Sequence, residues 1–492
     1  MKKIDKIILL SVFAISALFS SCKDFLNTGP TDSIPSDMVN TLVDAQRIAN
    51  GMYSRMKWYD YYGANMLVMG ENRADDIRPR LETSGYIAIY QYDFSPDVNS
   101  YGGFWSRIYN ILLNANSLLE LIDNFPANGQ AEIDIRNDIK GQALAVRALC
   151  HFDLARLYGY PYQMDNGASL GAVIATEVIP QGQTRPRGTV KETYDVVIQS
   201  LTEALPLLSK DRNHGHFNYW AAKGLLSRAY LYMGDYDNAF KHADELITTV
   251  GGTYSLIPNS RYVDSWSEQD SDETLLELLV TIESNLDTNY GVALYFYGLS
   301  QEPGAMTGSF LVPTDTWLGI IDEDPNDVRR GLIQQGFAPQ GERWLRKFAG
   351  NSVSPPNYGL HNPVLIRLSE VYLIASEAAL MKTSRDQSKA DQYLNAIRRR
   401  ANPNAPTLTA TVDEILKERR KELVGEGHRF FDLSRLGRTI DRTAPDNVLP
   451  INSTYKVINP WDKVNFYKVV LPMSTTQLSA NPDALQNPGY AN

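Results

Sequence analysis

The stretch 219–247, YWAAKGLLSRAYLYMGDYDNAFKHADELI, constrains this chain more than any other segment. Leu226, Ser227 and Tyr230 recur at helical spacing, and a Gly234-Asp235-Tyr236 turn follows. Ala239, Ala243 and Leu246 then resume the same period. Small residues let two helices approach closely, and a tyrosine can fill the gap between them. A two-helix unit of this kind cannot bury its apolar face alone, so it predicts a stack of such units.

The pattern is similar to a tetratricopeptide (TPR) unit, and a looser version runs over 365–397. There VLIRLSEVYLIASEAALMK is followed by a polar turn and by Ala390, Leu394 and Ile397. The segments 104–123, 133–158 and 190–208 also carry helical period, and Pro126, Gly129, Gly159 and Pro161 punctuate them. Four helix pairs are expected: one over 104–158, up to two over 190–247 and one over 365–400. The predicted fold is mainly α: TPR-like helical pairs forming a scaffold, decorated by long loops and a few short strands. The segments 58–103, 160–188, 252–362 and 403–413 are rich in Gly, Pro, Asn, Asp and Ser. A strand-like piece, 274–280, interrupts the longest of them. Long loops on a rigid scaffold are where binding is usually done.

The N-terminus has the grammar of an export signal. Lys2, Lys3 and Lys6 precede an apolar run over 7–19, then Ser20, Ser21 and Cys22. The run is shorter than the roughly 20 residues a membrane-spanning helix needs. A cysteine in this place resembles the lipobox of bacterial lipoproteins, although Phe19 stands where Leu is usual. Residues 1–21 are expected to be a signal peptide, Cys22 the lipid attachment, 22–30 a polar tether, and 31–492 a single body. The second cysteine, Cys150, lies in an apolar helical stretch and reads as a buried, inert thiol. With Cys22 acylated, no disulfide remains.

A formal charge of −10 argues against nucleic acid, which requires a basic face. No H-E-x-x-H, phosphate loop or paired Cys-x-x-Cys occurs, so none of these enzyme classes is indicated. Among 57 acidic residues, no glycosidase carboxylate pair can be singled out. His214 and His216 lack further metal ligands and read as a polar loop. The acidic run 322–327 lacks the central Gly and terminal Glu of an EF-hand. It reads as a solvated turn leading to Arg329 and Arg330. No metal and no cofactor is expected, and structural calcium has no support.

The densest charged stretch is 415–437, ILKERRKELVGEGHRFFDLSRLG. Leu416, Leu423 and Val424 are expected to face inward. Glu418, Arg419, Arg420, Lys421 and Glu422 are expected to mix signs on the outside. Gly425 and Gly427 should break the helix, with Phe430, Phe431 and Leu433 returning to the core. The role predicted for the stretch is structural.

The same residues carry a resemblance. Glu418-Arg419-Arg420-Lys421-Glu422-Leu423, Glu426-Gly427-His428-Arg429-Phe430-Phe431-Asp432-Leu433 and Arg435-Leu436-Gly437 resemble the C-terminal signature of the SusD/RagB family. The helix from Ile366 to Ala378, the stretch from Arg147 to Leu154 with Tyr158-Gly159, and the tail ending Asn487-Pro488-Gly489-Tyr490 agree with it. The resemblance divides the body into an N-terminal SusD-like part, 31–250, and a C-terminal RagB/SusD part, 251–492. It implies an outer-membrane lipoprotein of Bacteroidetes facing the exterior, a lid over a SusC-like TonB-dependent transporter. Such proteins capture oligosaccharide or, in some members, peptide, and perform no chemistry. An alternative use of TPR-like helices is a scaffold that holds only protein.

The family signatures carry no ligand residues, so the binding surface rests on physical grounds. Sugars present apolar faces to aromatic rings and hydroxyl rims to Asn, Asp and Arg. The chain has 28 tyrosines and seven tryptophans. One cluster is Trp58, Tyr59, Asp60, Tyr61 and Tyr62, followed by Asn72, Arg73, Asp75 and Asp76, and by Tyr101. The other is Tyr290, Tyr295, Tyr297 and Trp317. Trp58, Tyr61, Tyr62, Arg73, Asp75, Tyr101, Tyr295, Tyr297 and Trp317 are the candidate ligand contacts.

Overall fold

The computed structural model describes residues 40–80, 86–97, 103–281, 291–296, 310–335, 343–348, 361–443 and 455–490. Cys22, the signal and tether, Tyr101, Tyr290 and Tyr297 lie outside the described residues.

The chain is mainly helical. Among the described residues, the helices of seven residues or more are α1 (Leu42–Met56), α2 (Asn65–Asn72), α3 (Phe104–Leu121), α4 (Gln130–Tyr158), α5 (Val190–Ala204) and α6 (Tyr219–Met233). The rest are α7 (Tyr236–Thr249), α8 (Asp315–Asp322), α9 (Leu368–Met381), α10 (Gln387–Ala401), α11 (Val412–Leu423) and α12 (Arg429–Arg435). They pack largely in chain order: α1 on α3, then α3–α4, α4–α5, α5–α6, α6–α7, α7–α9 and α9–α10. The helix pairs are therefore stacked serially, with α1 as an additional member at the N-terminal end.

Local chemistry explains the central pair. Asn218 caps α6 by accepting from the Ala221 N–H at 3.0 Å. Gly234, with φ at +78°, ends α6 in the left-handed conformation that glycine adopts without strain. Asp235 then caps α7 through the Asn238 N–H at 3.1 Å. Tyr230 of α6 stacks on His242 of α7, ring centroids 5.6 Å apart, and fills the gap between the two helices. On the other face of α6, a Cβ on Gly224 would meet Ile366 at 3.0 Å, so the small residue sets that approach.

The strands are short and form two-stranded antiparallel ladders. β1 (Ile77–Pro79) pairs with β3 (Leu311–Pro313), and β2 (Thr274–Glu277) pairs with β6 (Val364–Arg367). β4 (Ile333–Gln335) pairs with β5 (Arg343–Leu345). The largest apolar core cluster runs from Ala45 to Ala484 and includes buried Cys150. Burial pushes the Cys150 thiol well above its ordinary range, so it is held as the inert thiol.

Helix α11 departs from expectation. Its Gly425 and Gly427 sequel breaks the helix at φ of +80° each, and Phe430, Phe431 and Leu433 are buried as predicted. Glu418, Arg419 and Glu422, however, are buried and not outside. The reason is a buried charge network that distant segments complete. Arg329 meets Glu418 at 2.8 Å and Glu422 at 3.1 Å. Arg367 reaches Glu273, Glu422 and Glu426 at 2.7, 3.0 and 2.7 Å. Lys347 donates to the Glu422 and Val424 carbonyls at 2.8 and 3.0 Å. The run expected as a solvated turn feeds the same network. Asp322 stays half-exposed between Arg330 and Arg343, but Asp327 and Arg329 pair inside the protein at 2.7 Å.

Candidate functional site

Helix α1 ends at Met56, and Lys57 donates through Nζ to the Leu279 carbonyl at 2.9 Å. Trp58 is extended, and a five-residue π-turn, Tyr59–Gly63, follows. The Trp58 carbonyl accepts from the N–H groups of Tyr61 and Gly63 at 2.9 and 3.0 Å. A Cβ on Gly63 would sit 2.7 Å from the Trp58 carbonyl carbon, so the turn needs glycine there. This turn sorts four consecutive-looking aromatics into two sets. Trp58 and Tyr59 emerge 37% and 44% exposed, while Tyr61 and Tyr62 are buried.

The outward pair is braced from below. Asp60 accepts a bidentate pair from Arg107, whose Nε and Nη2 lie at 3.0 Å. The same guanidinium carbon lies 4.6 Å from the Trp58 ring centroid. A ring fixed on a cation, with part of its surface in water, can stack on the apolar face of a sugar. The Asp60–Arg107 pair supplies hydroxyl-bonding groups at its edge. Arg107, on α3, is the residue that sequence reasoning missed here. No short-range pattern joins it to Asp60.

Tyr61, Tyr62, Trp317 and Tyr295 occupy interior positions, so the expectation of exposed stacking rings is not met at these four. Tyr61 donates its hydroxyl to Asp153 at 2.6 Å. Tyr62 packs against Tyr61, ring centroids 4.6 Å apart. Trp317 is buried in the amphipathic α8 and gives its Nε1–H to the Arg420 carbonyl at 2.9 Å. Tyr295 is buried edge-on against Tyr86, centroids 4.8 Å apart. Beside it stands Phe310, 38% exposed and 6.1 Å from the Tyr295 ring. Phe310 is a second aromatic surface point that a search for Tyr and Trp alone passes over.

Arg73 and Asp75 are engaged inside the protein as parts of a clasp. Arg73 is buried with its guanidinium 3.7 Å from the Phe430 ring centroid, and burial lowers its pKa to about 10. Asp75 takes a bidentate pair from Arg429 at 2.7 and 2.9 Å. Burial raises its carboxyl, but Arg429 and then Arg420 outweigh this and hold it below the usual range. Asp76 binds Arg420 in the same way, with Nε at 2.9 Å. Thr314 donates to the Asp75 and Asp76 carbonyls at 2.9 and 2.8 Å. The clasp thus ties the loops near Trp58 and Phe310 to the helix of the C-terminal signature.

Glu71 closes the clasp by accepting the N–H groups of Gly427 and His428 at 2.8 and 3.2 Å. Burial first, and then Asp76, push its carboxyl up to about 8. The folded state therefore holds this proton after the unfolded chain, near 4.5, has released it. Stability falls as pH rises between those values, with a slope of up to about 1.4 kcal/mol per pH unit. Glu71→Gln removes the titration and keeps an acceptor. Its melting temperature relative to wild type is expected to climb from pH 5 to pH 8. A gap that stays constant with pH would show that Glu71 is already ionised in the fold.

His214 is engaged by Glu277 at 2.7 Å, and among the described residues no group of three or more His, Cys, Asp or Glu side chains gathers for a metal.

Comparison with known proteins gives a consistent result. A profile described as the SusD family matches residues 280–490. A second, described as "Starch-binding associating with outer membrane", matches residues 24–231. A solved SusD superfamily protein from Bacteroides vulgatus is 35% identical, with a TM-score of 0.82, over 92% of this chain and 100% of that one. A SusD-like protein of Formosa agariphila is 24% identical over 98% of this chain and 99% of its own. A solved laminarin-binding SusD-like protein shares the fold, with a TM-score of 0.72 and 22% identity over 92% of this chain and 100% of that one.

Proposed function

We infer function from one premise: this chain belongs to the SusD family. SusD-like proteins are carbohydrate-binding and non-catalytic. On that basis the chain is a cell-surface nutrient-binding lipoprotein. It captures an oligosaccharide or polysaccharide and delivers it to a SusC-like TonB-dependent transporter. Its anchor is a lipid on Cys22 in the outer membrane, with the body outside the cell. The profile described as starch-binding and outer-membrane-associating supports the ligand class and the location. The laminarin-binding relative supports a glucan among the first ligands to try.

The observation that carries the binding reading is Trp58, exposed yet fixed on Arg107. Titration calorimetry with starch- and laminarin-derived oligosaccharides tests it. Trp58→Ala is expected to weaken binding by about 1–3 kcal/mol, because truncated aromatic anchors lose that much. Thermal stability should hardly change, since the ring adds little to the core. Unchanged affinity with a lowered melting temperature would remove Trp58 from the binding surface. Binding of peptides and of no glycan would move the protein to the peptide-capturing reading.

A further inference from the structure

A concavity opens elsewhere on the scaffold. Its walls come from the loop before β2, from β2 itself and from the start of β6; they include Tyr262, Trp266, Glu277, His361, Asn362 and Arg367. None of these belongs to the Trp58 corner.

Two of the lining residues carry buried polar atoms with nothing to bond. Trp266 is 8% exposed, and its Nε1–H has no acceptor. Asn362 is 5% exposed, and its Nδ2 has no acceptor either. The orientation of the Asn362 amide is fixed, because its Oδ1 accepts from the Val280 N–H at 2.8 Å. Burying such donors unpaired costs about 1–3 kcal/mol each, so an acceptor is expected in the space between.

The surrounding charges select the kind of acceptor. Among the described residues, the cation in the wall is Arg367, already spent on Glu273, Glu422 and Glu426. Glu268, Glu273 and Glu277 line the same space, which disfavours an anion. Both orphaned groups are N–H donors, which disfavours a cation. The His361 ring is neutral, since burial and then Lys347 bring its pKa down to about 4. Half-buried Gln269 and exposed Glu268, the latter paired with Arg261 at 2.7 Å, lie at the same pocket and can accept from hydroxyl groups. A molecule that both accepts and donates through neutral oxygens satisfies this set.

We propose that this pocket holds one ring of a neutral saccharide, its oxygens accepting from Trp266 Nε1–H and Asn362 Nδ2–H. It is a second sugar site, separate from the aromatic corner at Trp58. The saccharide class rests on the carbohydrate-binding reading above; the pair of orphaned donors does not.

The test follows the indole N–H resonances of the full mature chain during titration with glucose, galactose and mannose, and with sulfate as the anion control. Trp266→Phe identifies the Trp266 signal among the seven tryptophans and keeps an aromatic ring beside Lys347. At least one sugar is expected to shift that signal saturably, and sulfate is not. Asn362→Ala should weaken the response by roughly fivefold or more, the loss of one hydrogen bond. Trp58→Ala should leave it intact. A Trp266 response that survives while Trp58→Ala has no effect on oligosaccharide affinity would sink the Trp58 corner and spare this pocket. The pocket assignment fails if no sugar moves the signal, if sulfate moves it equally, or if the response disappears with Trp58→Ala.

Discussion

Arg367→Ala is expected to lower the unfolding free energy by about 3–5 kcal/mol, the loss typical of breaking a buried ion pair from one side. Arg367 ends β6 and is buried. Its Nη1 donates to Glu273 at 2.7 Å, to Glu422 at 3.0 Å and to Ser369 at 2.6 Å. Its Nε and Nη2 donate to Glu426, each at 2.7 Å, and Nη2 also reaches the Glu422 carbonyl at 3.0 Å. Removing it leaves three buried carboxylates short of positive charge. Burial raises the Glu422 carboxyl, but Arg400, Arg367 and Arg329 together pull it well below the carboxylate range. Glu422 therefore favours the folded state above its unfolded pKa, and that contribution fades as pH falls toward the depressed folded value. Denaturant unfolding at neutral pH measures the loss. The double change Arg367→Met with Glu426→Gln should be less destabilising than the sum of the two single changes, because the partners couple directly. A loss under about 1 kcal/mol would mean that Arg400 and Lys347 compensate and that the network is redundant.

This network also marks where the sequence stops being legible. The helical pairs announce themselves through local period: Leu226, Tyr230, Ala239 and Ala243 are readable from neighbours three and four residues away. Trp317 was legible in the same way, because Trp317, Leu318 and Ile321 form one buried stripe of α8. Glu418, Arg419 and Glu422 follow a different rule. A charged residue reads as exposed unless its partner is known: Arg329 and Arg367 come from other segments, and Asp432 from beyond the glycine turn, on α12. The Trp58 corner is legible only by half. Composition marks the aromatic cluster correctly as unusual. Which rings face water is decided by the π-turn and by Gly63, a backbone property with no side-chain signature.

Gly70→Ala is the second change with a large expected effect. Gly70 lies on α2, where a glycine interior to a helix is ordinarily worth replacing by alanine for about 0.5–1 kcal/mol of stability. Here the sign should reverse. A Cβ on Gly70 would stand 2.5 Å from the Gly427 Cα and closer still to the Gly427 carbonyl. Gly427 cannot yield easily. It holds φ at +80°, and its own Cβ position would lie 2.9 Å from the Leu67 Cα. Its N–H is bound to Glu71 at 2.8 Å. Two backbones therefore meet glycine to glycine, and a methyl group must push α2 off the turn after α11. Overpacking of this kind costs about 1–3 kcal/mol, and the loss of the Glu71 hydrogen bonds adds about 1 kcal/mol or more. The consequence should reach the proposed ligand surface, because the segment from Glu71 to Asp76 anchors the clasp to Arg420 and Arg429. Glycan affinity should fall with stability in Gly70→Ala, whereas in Trp58→Ala it should fall alone. Thermal melting and calorimetry on the two variants distinguish these outcomes, and a stabilised Gly70→Ala protein would show that α2 and the signature turn are not in backbone contact.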